Sequence, residues 1–111
     1  MSAATSRRLF LLGSTGSIGT SALDVVRDFA RRGQARFDVV GLAAARNGDA
    51  LVTQAHEFGA QAIAVADPDA SLAARADLPG RVRVYQGPSA ACELLRAHAR
   101  RGDLVLAAMV G

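Results

Sequence analysis

Several residue types are scarce or absent in this sequence, and each absence argues against a class of function. Cys92 is the single cysteine, so the chain can form no internal disulfide and no zinc site built on several thiolates. None of the 111 residues is a lysine, which argues against the phosphate loop of nucleoside triphosphatases, because that loop requires one. Aromatic residues make up 5% of the chain, so a surface for stacking nucleic-acid bases is not expected.

Long apolar runs and blocks of like charge are also missing. The apolar stretch at residues 9–12 ends at Gly13, which makes it too short for a signal peptide or a membrane span. All 13 basic residues are arginines, and they are scattered along the chain although the net charge is +3. We therefore expect a cytoplasmic domain, or part of one, that binds neither nucleic acid nor a membrane.

Apolar segments of strand length alternate with segments of helical periodicity, and the connections between them are short. This alternation predicts an α/β fold: a doubly wound, Rossmann-like parallel sheet with helices on both faces. We expect residues 1–7 to be an N-terminal tail and residues 8–111 to be the domain. Strands are predicted at 9–12, 37–45, 61–66, 81–85 and 104–110. The first helix is predicted to run from the turn after the first strand to residue 32, and further helices are predicted at 48–58, 68–76 and 89–101.

Some helix residues carry more specific expectations. Asp67 is predicted to be the N-cap of the third helix, with Pro68 in its first turn. Cys92 is expected to be a small core residue, and His56 and His98 to be ordinary helix residues. The first helix is predicted to bury one stripe (Ile18, Ala22, Val25 and Phe29) and to expose another (Asp24, Arg27, Asp28 and Arg31).

The most informative segment is a glycine-rich turn between the first strand and the first helix. It reads Gly13-Ser14-Thr15-Gly16-Ser17-Ile18-Gly19, one residue longer than the usual G-x-G-x-x-G pattern of dinucleotide sites. We expect Gly13 to permit the tight turn, Gly16 to leave room for a phosphate, and Gly19 to let the helix lie close to the sheet. Such a turn offers backbone N–H groups to a pyrophosphate. A turn that binds no phosphate is the alternative.

The end of the second strand indicates which dinucleotide would bind. Enzymes that prefer NAD place an acidic residue there for the ribose 2′-hydroxyl, but this chain has Ala45-Arg46-Asn47. A guanidinium beside an amide suits the 2′-phosphate of NADP, so we expect NADP rather than NAD. In the alternative, Arg46 is a solvated loop residue and Asn47 a helix N-cap. Asp49, the nearest carboxylate, is interpreted as a helix cap.

Together these segments resemble the N-terminal part of the 1-deoxy-D-xylulose 5-phosphate reductoisomerases, from Arg8 onward. The family's opening block is similar to residues 12–20 (LGSTGSIGT) followed by 23–26 (LDVV), and its second block to residues 42–47 (LAAARN). Family members often have glycine where this chain has Ala45. Further similar segments are Glu57-Phe58, Val65-Ala66-Asp67 and Ala108-Met109-Val110-Gly111.

The resemblance implies an NADPH site. Thr15, Gly16, Ser17 and Ile18 would hold the pyrophosphate in a turn shaped by Gly13 and Gly19. Ala45, Arg46 and Asn47 would surround the 2′-phosphate, and Met109 and Gly111 would lie near the nicotinamide.

The resemblance also implies an activity that needs more than this chain. The family rearranges and reduces 1-deoxy-D-xylulose 5-phosphate to 2-C-methyl-D-erythritol 4-phosphate in non-mevalonate isoprenoid biosynthesis, as a homodimer. It uses NADPH and a divalent metal (Mg²⁺, Mn²⁺ or Co²⁺), and the metal and substrate residues lie in a following domain. We therefore assign no catalytic and no metal-binding residue here, and expect a truncated chain that is inactive alone.

Two other functions stay open at this stage. A free-standing regulatory module could sense NADP and dock on a partner. A different NADP reductase, acting on an aldehyde or imine, is disfavoured by the similarity outside the glycine turn.

Overall fold

Strands and helices alternate along the computed structural model, which describes residues 6–34, 36–72, 76 and 78–108. In chain order they are β1 (Ser6–Leu12), α1 (Ser17–Arg32), β2 (Arg36–Ala44), α2 (Gly48–Phe58), β3 (Ala62–Val65), β4 (Arg83–Gln86), α3 (Ala90–His98) and β5 (Leu104–Ala107). The strands form one sheet in the order β4-β3-β2-β1-β5, and every neighbouring pair is parallel. The predicted doubly wound α/β architecture is therefore confirmed.

The core lies on both faces of the sheet. Leu9 and Leu11 of β1 pack with side chains of α1 and α2, whereas Phe10 points to the opposite face and packs with α3. All four residues of β3 are buried. Because helices cover both faces, the central strands have nearly continuous apolar sequences.

Helix α1 is rotated relative to the sequence prediction. Its buried residues are Gly19, Leu23 and Val26, whereas Ile18 is 60% and Val25 is 50% exposed. The predicted stripe is thus wrong for these two residues, although Ala22 and Phe29 are partly buried. Gly19 lies on the buried side of α1, close to the preceding turn, and a glycine does not contribute to an apolar periodicity.

The segment after β3 forms a turn instead of the predicted helix. The Asp67 carboxylate accepts from the Asp69 N–H at 2.9 Å, and the Gln86 side-chain amide donates to the carbonyls of Pro68 and Ala70 at 2.9 and 3.1 Å. A helix would need these carbonyls for its own N–H groups. The prediction is wrong for residues 68–72, and its part at 73–75 lies outside the described residues.

Helix α3 ends at His98, three residues before the predicted end. Asp103 is responsible, because its carboxylate accepts from the Arg100 N–H at 2.7 Å and pairs with Arg8 at 3.0 Å. Arg8 also donates to the His98 carbonyl at 2.8 Å. Cys92 is exposed, contrary to prediction, because α3 buries the stripe that contains Ala90 and Leu94.

Candidate functional site

The glycine-rich turn is attached to the end of β2. The N–H groups of Gly13 and Ser14 both donate to the Ala43 carbonyl, at 2.7 and 2.9 Å. Gly13 has a φ of +87°, a left-handed conformation that disfavours residues with a side chain. The first glycine of the motif therefore has the role that the sequence predicts.

The turn ends at the uncapped N-terminus of α1. Gly16 is the N-cap, and the helix ladder begins with the Thr20 N–H donating to the Gly16 carbonyl at 2.9 Å. The N–H groups of Ser17, Ile18 and Gly19 precede that bond and have no acceptor within the helix. The first turn of α1 contains no acidic residue. Its partial positive charge is therefore not neutralised locally, which suits an anion.

The remaining two glycines of the motif differ in the space around them. A Cβ added at Gly16 would meet only the Gly13 carbonyl oxygen, at an ordinary 3.7 Å. A Cβ at Gly19 would lie 2.1 Å from that same oxygen and 2.7 Å from the Cα of Ser14. Gly19 is thus required for the protein's own packing, against the turn itself. Gly16 faces open space that a ligand could use.

The end of β2 lies beside this turn, because Leu12 of β1 pairs with Ala43 of β2. Ala45, Arg46 and Asn47 follow β2 and are all exposed. Arg46 forms no ion pair with any residue that the structure describes. The structure thus brings the two predicted segments together at one edge of the sheet.

Asn47 also has a structural role. Its side-chain oxygen accepts from the Ala50 N–H at 3.1 Å, which makes Asn47 the N-cap of α2. This confirms the alternative interpretation of Asn47, and its amide nitrogen remains a group that could donate to a ligand. Asp49 lies in the first turn of α2, so its assignment as the cap is wrong.

The loop after β3 borders the same edge, which no local pattern in the sequence predicts. The Asp67 N–H donates to the Ala45 carbonyl at 2.9 Å. A Cβ at Gly48 would lie 2.2 Å from the Ser71 carbonyl oxygen, so this loop packs tightly on the start of α2. In the sequence, the glycine at position 48 is a signal of close packing, but it does not identify the loop that packs there.

A second missed residue is Gln54 of α2. Its side-chain amide donates to the Ser14 carbonyl at 2.9 Å, which joins α2 to the glycine-rich turn. Ser14 is 0% exposed. Gln54 is 40 residues away from Ser14 in the sequence, so no local pattern could have indicated this bond.

The other candidates lie elsewhere or outside the described residues. The Tyr85 hydroxyl is 3.1 Å from Nε2 of His98, and burial, followed by the charges of Arg83 and Arg8, lowers the pKa of His98. His56 is exposed on α2. Met109 and Gly111 are among the residues that the structure does not describe.

Among residues 6–34, 36–72, 76 and 78–108, no three His, Cys, Asp or Glu side chains are grouped as a metal site requires. Across the part of the chain that the structure describes, every helix is too short or too polar to serve as a transmembrane segment.

Comparison with known proteins identifies the family. The sequence model of the family described as 1-deoxy-D-xylulose 5-phosphate reductoisomerase matches residues 9–111. The chain belongs to this family. The reductoisomerase of Rhodococcus jostii (strain RHA1) is 48% identical over 105 residues, which are 94% of this chain and 24% of that protein. That of Anaeromyxobacter sp. (strain K) is 45% identical over 85 residues, 77% of this chain and 21% of that protein. The chain spans about a quarter of the length of these relatives.

Two solved reductoisomerase structures have the same fold. The enzyme from Zymomonas mobilis in complex with NADPH superposes with a TM-score of 0.74 at 30% identity, over 96% of this chain and 27% of that one. A reductoisomerase in complex with magnesium gives a TM-score of 0.73 at 30% identity, over 96% of this chain and 26% of that one. The fold and the family that the sequence predicts are both confirmed.

Proposed function

We propose that this chain is the NADPH-binding part of a 1-deoxy-D-xylulose 5-phosphate reductoisomerase. The complete enzyme would convert 1-deoxy-D-xylulose 5-phosphate to 2-C-methyl-D-erythritol 4-phosphate in non-mevalonate isoprenoid synthesis. The observation that carries the proposal is the N-terminus of α1, which has uncapped N–H groups, no acidic residue in its first turn and open space in front of Gly16. The Zymomonas mobilis relative, solved with NADPH, supports the same cofactor.

The pyrophosphate would be held by backbone donors of the turn. The Thr15 N–H donates to no acceptor among the described residues, and the N–H groups of Ser17 and Ile18 precede the helix ladder. The N–H groups of Ser17 and Ile18 are oriented before the ligand arrives, because Gly13 and Gly19 hold the turn against β2 and α1. A preorganised set of donors loses less conformational entropy on binding.

The adenosine 2′-phosphate would lie at Arg46. The guanidinium is exposed, pairs with no carboxylate of the described residues, and follows the strand adjacent to the turn. Asn47 caps α2 with its oxygen and would donate from its amide nitrogen, whereas Ala45 would face the ribose. An arginine beside a phosphate forms charge-assisted hydrogen bonds, which are about twice as strong as neutral ones.

The metal and the substrate would bind elsewhere in the complete enzyme. The described residues contain no group of acidic or imidazole side chains suited to Mg²⁺, although one relative is solved with magnesium. We assign no catalytic residue to this chain. Bound NADPH would supply the hydride for the reduction, and the residues named here would only bind and orient it.

We propose that residues 8–111 form the cofactor domain, together with Ser6 and Arg7, which lie in β1. We also propose that the complete enzyme is a cytoplasmic homodimer without nucleic-acid or membrane partners. The present chain alone should show no turnover of 1-deoxy-D-xylulose 5-phosphate when magnesium and NADPH are supplied. Measurable turnover would favour a more complete active site than we propose.

Calorimetric titration of the chain with NADPH and with NADH tests the cofactor assignment. We expect NADPH to bind more tightly than NADH, and Arg46→Ala to weaken NADPH by about tenfold or more while leaving NADH unchanged. Arg96→Ala, which removes an exposed arginine of α3, is the matched control and should change neither affinity. Absence of NADPH binding in a folded sample contradicts the proposal, and equal affinity for both cofactors contradicts the role of Arg46.

A further inference from the structure

We infer that Gln54 is a positioning residue that orients the Thr15 N–H toward the cofactor pyrophosphate. This inference rests on the proposed function and adds to it a residue outside both sequence motifs. Gln54 lies about two helical turns after Asn47, on the side of α2 that meets the glycine-rich turn. It does not touch the proposed position of the ligand, so it would act through the backbone of Ser14.

The hydrogen bond has one possible polarity. The Ser14 carbonyl can only accept, so the Gln54 amide nitrogen, at 2.9 Å, must be the atom that faces it. The other side-chain atom of this amide, Oε1, is buried and has no hydrogen-bond partner among the described residues. The contact with Ser14 is therefore the interaction that holds the Gln54 side chain in this orientation.

The bond fixes the direction of a neighbouring donor. The Ser14 carbonyl and the Thr15 N–H belong to one trans peptide, in which C=O and N–H point in opposite directions. Holding the carbonyl toward α2 therefore directs the Thr15 N–H away from α2. That N–H donates to no acceptor among the described residues, which leaves it available to a ligand oxygen.

Ser14 is restrained on its other sides, so the orientation of this peptide depends on Gln54. The Ser14 N–H is bound to the Ala43 carbonyl at 2.9 Å, and the Ser14 Cα packs against the backbone of Gly19. Neither contact is a hydrogen bond to the Ser14 carbonyl oxygen, although the carbonyl carbon also lies close to Gly19. Without Gln54 the Ser14–Thr15 peptide could rotate, and the turn would keep its attachment to β2 while losing one pyrophosphate donor.

The test is the affinity of the Gln54→Met chain for ligands with and without a diphosphate. Methionine has nearly the same length as glutamine and donates no hydrogen bond. We expect NADPH and NADH each to bind about tenfold more weakly, the loss of one charge-assisted hydrogen bond. Adenosine 2′-monophosphate, which has no diphosphate, should bind as it does to the unmodified chain. Gln61→Met is the matched control, because the Gln61 residue is exposed and follows α2 at the other end of the sheet.

Two outcomes of this titration overturn the inference: unchanged NADPH affinity, or an equal loss for NADPH and adenosine 2′-monophosphate, which is the result of general loosening. If Gln54→Met does not fold, the ¹⁵N–¹H spectrum of the unmodified chain decides. The Thr15 amide resonance must then shift on addition of ADP, and an unshifted resonance overturns the inference. Failure of the proposed function is distinct, because there the unmodified chain binds no NADPH at all.

Discussion

We expect Gly19→Ala to lower the stability of the fold and Gly16→Ala to weaken the binding of NADPH. The new Cβ would lie 2.1 Å from the Gly13 carbonyl oxygen and 2.8 Å from the Ser14 carbonyl carbon, so backbone must move by more than an ångström. Overpacking of this kind costs about 1–3 kcal/mol, and the contact here is with backbone, which places it at the upper end. Alanine gains about 1 kcal/mol of helix propensity over glycine. We therefore expect the free energy of unfolding to fall by about 2 kcal/mol.

Gly16→Ala should instead leave the stability nearly unchanged and weaken NADPH binding. Its Cβ would meet only the Gly13 oxygen at 3.7 Å, so the free energy of unfolding should change by less than about 0.5 kcal/mol. The added methyl would occupy the space proposed for the pyrophosphate, and NADPH affinity should fall by about tenfold or more. Gly80→Ala, with no atom within 4 Å of its Cβ, is the control for both measurements.

Urea denaturation followed by circular dichroism gives the stabilities, and calorimetry gives the NADPH affinities. A Gly19→Ala chain as stable as the unmodified one would refute the packing derived for the turn. A Gly16→Ala chain that binds NADPH normally would refute the ligand position.

Two further predictions concern the stability of the helices. Asn47→Ala removes the side-chain cap of α2 and should lower the free energy of unfolding by about 1 kcal/mol in urea denaturation, and an unchanged midpoint contradicts the cap. Burial lowers the pKa of His98 below its usual value, and the positive charges of Arg83 and Arg8 lower it further. The Tyr85 hydroxyl is close to the imidazole, and Arg8 is paired with Asp103. The neutral imidazole is therefore the form that the fold favours, so stability is retained above the unfolded pKa of about 6.5 and is lost as the pH falls below it. His98→Gln should reduce the loss of stability between pH 7 and pH 5, the exposed His56→Gln should not, and identical pH profiles for the two variants contradict this assignment.

Local sequence was sufficient for much of the fold and for the two predicted segments of the site. The glycine-rich turn, the strand before it and the helix after it depend on residues close in sequence, and Gly33 ends α1 in the left-handed conformation that such a position favours. The end of β2 could be placed beside the turn because parallel strands with short right-handed crossovers leave few alternatives. Sequence similarity supplied the family, which periodicity alone could not identify.

Two of the errors involve residues that lie far away in sequence, Gln86 for the segment after β3 and Arg8 for the end of α3. Asp67 and Pro68 favour a helix start locally, but Gln86 binds the carbonyls that a helix would use. Gly102 is a reasonable helix stop, but the Asp103 carboxylate and Arg8 end α3 earlier.

The amino-acid sequence by itself determined the alternation of strands and helices, the positions of the glycines in the turn after β1 and the arginine in place of an acidic residue, because each depends on neighbouring residues. Only the tertiary structure decided the rotation of α1, the turn after β3 and the contact of Gln54 with Ser14. These depend on which surfaces meet when the chain folds, and a contact between residues 40 positions apart leaves no local pattern to detect.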